Sequence, residues 1–139
     1  MTDETIGDVH WSFWAIGVIA VVFNLMGCLN FISQMNPETV AAMPEAYRAI
    51  VEDRPLWATG AFAIAVFGGA LGGVLLLRRR PSAYPVFVAS LLGAAVAQIP
   101  ALGMPDFPIE ALFGGLMQLV VGAFLVWYAR RALGRGWVR

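Results

Sequence analysis

Residues 57–80 read WATGAFAIAVFGGALGGVLLLRRR. No charged side chain occurs from Trp57 to Leu77, and the run stops on Arg78, Arg79 and Arg80. A helix crossing a hydrocarbon core about 30 Å thick needs about 20 apolar residues. This stretch has that length and stops where arginines would meet headgroups. Three further runs of the same kind cover about residues 13–32, 84–102 and 109–128, and none holds Asp, Glu, Arg or His well inside it. Each span must satisfy its own backbone hydrogen bonds in lipid, which a helix does and an open strand does not. A barrel would need alternating segments of about ten residues, and these runs do not alternate. The expected fold class is therefore all-α: residues 1–139 form a single domain, a bundle of four transmembrane helices.

Composition agrees. Of 139 residues, 60% are hydrophobic and only 13% charged, with a mean hydropathy of +0.74; soluble proteins are about a quarter charged. These values exclude a soluble globular domain and a disordered segment, and no nucleic-acid partner is expected. The partner implied is the lipid bilayer. One Cys and one His cannot build a four-ligand zinc site or an intramolecular disulfide. No phosphate-binding glycine loop, H-E-x-x-H or C-x-x-C is present. A Ser-His-Asp triad is not credible, because the sole histidine is His10. His10 as an axial haem ligand would need a second chain to complete the pair, so it reads as an interfacial anchor. No enzyme and no cofactor is expected.

Nine arginines and no lysine balance nine acids. Arg78–Arg80, Arg130, Arg131, Arg135 and Arg139 fall at one end of a four-span bundle. The other end has Arg48 and Arg54 among Glu38, Glu45, Glu52 and Asp53, with Asp106 in the next loop. The positive-inside rule puts the arginine-rich end and both termini in the cytoplasm. Trp11, Trp14, Tyr84, Trp127 and Tyr128 then form an inner aromatic belt, and Trp57 part of an outer one. The leader carries Asp3, Glu4 and Asp8 and no basic residue, unlike a signal peptide. Leu25-Met26-Gly27-Cys28 is a poor lipoprotein box, because Met26 stands where a small residue is usual.

The longest loop, between the first two spans, starts a helix at Asn36-Pro37-Glu38 with a cap, a proline and an acid in the order a helix N-terminus favours. Pro44-Glu45 can restart it. Val40, Met43, Tyr47, Ile50 and Val51 mark one apolar face, so a short amphipathic helix is expected at the outer interface. It serves as a lid over the bundle, as a gate or as a docking surface. Arg78-Arg79-Arg80-Pro81-Ser82 is a tight turn that would also attract anionic lipid.

Small residues and amides are the remaining signals. Gly68, Gly69, Gly72 and Gly73 make two overlapping G-x-x-x-G pairs, a groove that lets another helix approach closely. Ala89, Gly93 and Ala97 recur at four-residue spacing on the third span, and Gly114, Gly115 and Gly122 lie on the fourth. Packing within one chain accounts for these faces, and a homodimer or a larger membrane complex would use them equally well. Asn24, Asn30 and Gln34 lie on the first span and its end, Gln98 on the third and Gln118 on the fourth. An amide in lipid is costly unless paired or wetted. The five either join helices or line one outward-opening polar pocket. None is charged, which disfavours a proton relay or ion pump through the core. Glu110 is the nearest carboxylate.

The run Asn24-Leu-Met-Gly-Cys-Leu-Asn-Phe-Ile-Ser-Gln-Met-Asn-Pro-Glu, Met43-Pro-Glu, the stretch from Arg54-Pro-Leu-Trp to Gly68-Gly69-Ala-Leu-Gly, and Ser90-Leu-Leu-Gly resemble a family of small four-span proteobacterial inner-membrane proteins. Members are often labelled "sugar transporter". The likeness covers about residues 11–103. It implies the four-span topology and a bacterial inner membrane, transport to a lesser degree, and no catalytic residues. Two functions are therefore expected as alternatives: a small-solute carrier with an outward-facing polar pocket, or a non-catalytic accessory or assembly subunit of a larger membrane complex. A carrier needs Asn24, Gln98 and Gln118 to face one cavity, whereas a scaffold would tolerate leucine at each.

Overall fold

A computed structural model describes residues 9–139. The acidic leader with Asp3, Glu4 and Asp8 lies outside the described residues. The chain runs through α1 (Trp11–Gln34), α2 (Pro37–Ala41), α3 (Glu45–Glu52), α4 (Leu56–Leu77), α5 (Ala83–Ala97), a 3-10 turn (Ile99–Gly103) and α6 (Ile109–Gly134). Among the described residues there is no strand. Four stretches are long and apolar enough to cross a membrane: Trp11–Gln34, Leu56–Leu77, Ala83–Gly103 and Ile109–Gly134.

The ends depart from the hydropathy runs for local reasons. His10 caps α1, its Nδ1 accepting from the Ser12 amide at 3.2 Å, so the helix starts before the apolar run does. In the third span the α-helix stops at Ala97, and Gln98 joins it to the 3-10 turn. Pro100 explains the change, since it has no N–H for the Val96 carbonyl and disfavours helical geometry in the residue before it. The first loop forms two short helices rather than one. Asn36 caps α2 by accepting from Glu38 N at 3.0 Å, and Pro44 interrupts the run before α3.

Neighbours pack in the order α1–α4–α5–α6, and the glycines fix the register. The α4 glycines do not form a single groove, as the overlapping pairs would suggest. Gly69 and Gly73 face α1, where added Cβ atoms would meet Asn24 and Val21. Gly68 and Gly72 face α5, where they would meet Ser90 and the Phe87 ring. One pair of G-x-x-x-G motifs therefore serves two partners. Gly93 returns the contact, lying against the backbone of Ala61 and Ala65. Ser90 Oγ donates to the Ala65 carbonyl at 2.6 Å. Ala89 is exposed, so the four-residue stripe on the third span is not its packing seam. The seam runs through Ser90, Gly93 and Ala94. Along α6, Gly122 packs on Leu91 and Gly115 on Gln98, while Gly114 meets nothing within 4 Å.

At the arginine end α4 and α6 finish in the same way. Arg80 N bonds Leu75 O at 2.8 Å and Arg79 N bonds Leu76 O at 2.9 Å, with Arg79 at φ 56°. Trp137 N bonds Ala132 O at 2.9 Å and Gly136 N bonds Leu133 O at 3.1 Å, with Gly136 at φ 72°. Both are Schellman caps, which need a left-handed residue after the last turn. Glycine takes that conformation freely; Arg79 takes it against a steric penalty. The two caps are tied together, because Arg79 Nε donates to Trp137 O at 2.7 Å and Arg139 N donates to Arg79 O at 2.9 Å. Beside them Phe13, Tyr128 and Trp137 pack ring to ring, which brings α1 against α6. Phe13, Leu76, Phe87 and Ala132 are almost wholly buried there.

Candidate functional site: a cavity at the loop end

At the opposite end the bundle holds an open cavity of about 780 Å³. Drug-sized ligands occupy pockets of about 300–1,000 Å³. Its walls come from all four spans and from the loops at this end. Gly27, Asn30 and Gln34 line it from α1, and Gln98 and the 3-10 turn from the third span. Glu110, Gly114, Gly115 and Gln118 line it from α6. The apolar face of α3, with Tyr47, Ile50 and Val51, covers it. Those positions are the amphipathic face seen in the sequence, and they turn toward the bundle as a lid. The walls between the amides are mostly apolar, with Phe62 and Phe107 among them. From Gln34 to Gly27 the cavity follows about 10 Å of helix, and from Glu110 to Gln118 about 12 Å, at roughly 1.5 Å per residue.

Four of the five amides singled out in the sequence, Asn30, Gln34, Gln98 and Gln118, therefore border one space. The cause differs for each. Asn30 and Gln34 lie one helical turn apart, and Gln34 Nε2 donates to Asn30 Oδ1 at 3.3 Å. Gln98 is placed where Pro100 ends the α-helix, with its amide against Gly115. Gln118 sits one turn beyond Gly114, where α6 has small residues on its cavity side. Asn24 does not line the cavity. It is 5% exposed, its amide rests against Gly69, and its Nδ2 donates to the Ala20 carbonyl at 2.8 Å. It borders instead a separate void of about 10 Å³ shared with Ser90 and Gln118, room for about one water molecule. Asn24 therefore meets Gln118 at this small void but does not join the amides of the large cavity, because Gly69 admits its side chain into the α1–α4 seam.

The structure adds a residue that had counted only as a loop charge. Arg54 lies between α3 and α4 and lines the cavity half-buried. Its Nη2 donates to Gln34 Oε1 at 2.7 Å, and its guanidinium lies over the Phe62 ring, 5.2 Å from the centroid. Among the described residues no carboxylate is within ion-pair distance of it. Burial pushes the guanidinium below its ordinary pKa range, because the charged form has lost water. A signal for Arg54 was available. A cation just before the N-terminus of α4 opposes the helix dipole, which favours acids there. Another force must hold it, and Gln34 and Phe62 supply that. Asp53 and Glu110 also line the cavity, both exposed at its rim. Among the described residues no group of three or more His, Cys, Asp or Glu could hold a metal ion.

Four helices that can span a membrane, with a polar-studded cavity entering from one end, define the class: a polytopic α-helical membrane protein. No family model, curated protein or solved structure matches the chain.

Proposed function

We propose that the protein is a small-solute carrier of a bacterial inner membrane, with both termini in the cytoplasm and the cavity open to the outside. One observation carries this reading: four amides from three spans border one space of about 780 Å³ instead of pairing across helix seams. An amide that served only packing would be buried in a helix seam, as Asn24 is against Gly69. Supporting the orientation, seven arginines lie at the end away from the cavity. The resemblance of residues 11–103 to four-span inner-membrane proteins agrees in topology and in the suggestion of transport.

The test uses intact cells and a membrane-impermeant maleimide. In a Cys28→Ala background, Gln98→Cys and Gln118→Cys are expected to react from outside, Gln98→Cys faster because it lies nearer the mouth. Alkaline phosphatase fused after Arg139 is expected to be inactive, and the same reporter within Thr39–Glu52 active. Protection of both thiols would remove the pocket and leave an accessory or assembly role as the better account. An active C-terminal fusion would reverse the orientation.

A further inference from the structure

Resting on the cavity reading above, we infer that the ligand is an amphipathic anion whose carboxylate or phosphate head is bound by Arg54 and whose apolar body lies between α1 and α6. A guanidinium has five N–H donors in a planar fork suited to a two-oxygen acceptor. At Arg54 the side-chain hydrogen bond goes from Nη2 to Gln34, and Phe62 supports one ring-sized face. Those contacts hold the group in place without neutralising it. A half-buried cation with no carboxylate of the described residues within ion-pair distance, in a cavity large enough for a ligand, is a site built to receive a negative charge. Tyr47, Phe62 and Phe107 give the same cavity apolar wall for such a body, and Gln98 and Gln118 line it as well.

The acids at the rim set the competing expectation. Asp53 and Glu110 are exposed and solvated, so their charges are screened by water. Arg54 has lost part of that water. The balance favours the anion at the deeper group, and a cationic ligand is the opposite outcome.

The experiment measures protection of Gln118→Cys, in the Cys28→Ala protein, from an impermeant maleimide in phosphatidylcholine nanodiscs. The probes are octanoate, octanamide, octylammonium and acetate. Octanoate is expected to slow labelling at concentrations at least ~10-fold below those octanamide needs, the scale of a lost charge-assisted pair. Acetate, which has the head but no body, should protect poorly. Arg54→Gln should erase the difference between octanoate and octanamide, and Arg54→Lys should restore part of it. Equal protection by octanamide, or best protection by octylammonium, overturns the inference. The probe series uses intact Arg54, so it decides even if Arg54→Gln does not fold. Protection already present in phosphatidylglycerol nanodiscs would support the anion-headed chemistry and assign its source to the bilayer. If Gln118→Cys fails to react without any probe, the cavity itself is wrong and this inference falls with it. Labelling without charge discrimination removes only the anion.

Discussion

The two ends of the bundle are built from the same four helices and solve opposite problems. At the arginine end, Phe13 and Tyr128 bring α1 against α6, and the caps of α4 and α6 are tied through Arg79. At the loop end the same two helices contribute facing walls of a cavity, and α3 covers what they leave open. The seams between neighbours use glycine and alanine throughout, so close approach alone does not decide where the bundle opens. What differs is the chemistry between the non-neighbouring helices: aromatic rings at one end, amides and a half-buried arginine at the other. The close-packed contacts are concentrated in the seams and the closed end, and the residues proposed to bind a ligand in the open end.

If that division holds, the largest losses come from the seams. Gly72→Leu would drive a side chain into the Phe87 ring, whose nearest atoms are 2.7 Å from the added Cβ. Gly69→Leu would displace the Asn24 amide. Each is expected to lower folded yield and destabilise by about 3 kcal/mol, read as a lower melting temperature in detergent. Gly60→Ala, where nothing lies within 4 Å, is the neutral control. Unchanged melting of both leucine variants would mean that these faces meet lipid.

A smaller effect is expected at the closed end. Arg79→Ala removes the bond to Trp137 O and leaves the left-handed backbone in place. A loss of about 2 kcal/mol follows, the scale of a hydrogen bond from a charged donor. Thiol labelling at Gln98→Cys should not change, since the two ends are held by different contacts. If Arg79→Ala closed or widened the cavity, the ends would be coupled.

The smallest stability change belongs to the cavity wall. Gln34→Leu should cost about 1 kcal/mol, less than a typical hydrogen bond from a charged donor, because the cavity is open and water can replace the acceptor that Arg54 loses. It should nevertheless weaken octanoate protection, because Arg54 loses its Gln34 partner. A large loss of stability with intact protection would make Gln34 a structural joint.

How much of this was legible depended on whether the signal was periodic or relational. The four spans follow from uninterrupted apolar runs, and their helical state from the backbone's need for partners in lipid. The end of α5 was marked by Pro100, yet hydropathy alone carried the span past it. The glycine pairs on α4 announced close packing without saying that 69/73 and 68/72 face different helices, since adjacent residues on a helix point about 100° apart. The amides were visible as expensive residues. Their sorting, with four at the cavity and Asn24 in a seam, depended on which neighbour presents a glycine. Arg54 was hardest to see, because its role comes from Gln34, twenty residues earlier, and from Phe62. Arg79 was hidden for the same reason, since three consecutive arginines read as topology and only the backbone singles out one of them.

The central claim is that the molecule is open at one end and closed at the other, and thiol reactivity along the bundle of the purified protein measures that directly. In a Cys28→Ala background, Gln98→Cys and Gln118→Cys are compared with Leu125→Cys and Ala132→Cys, two buried positions of α6 toward the arginine end. The account predicts ready reaction at 98 and 118 with a water-soluble maleimide, and none at 125 and 132 while the protein stays folded. Comparable rates at all four positions, or protection at 98 and 118, would contradict it.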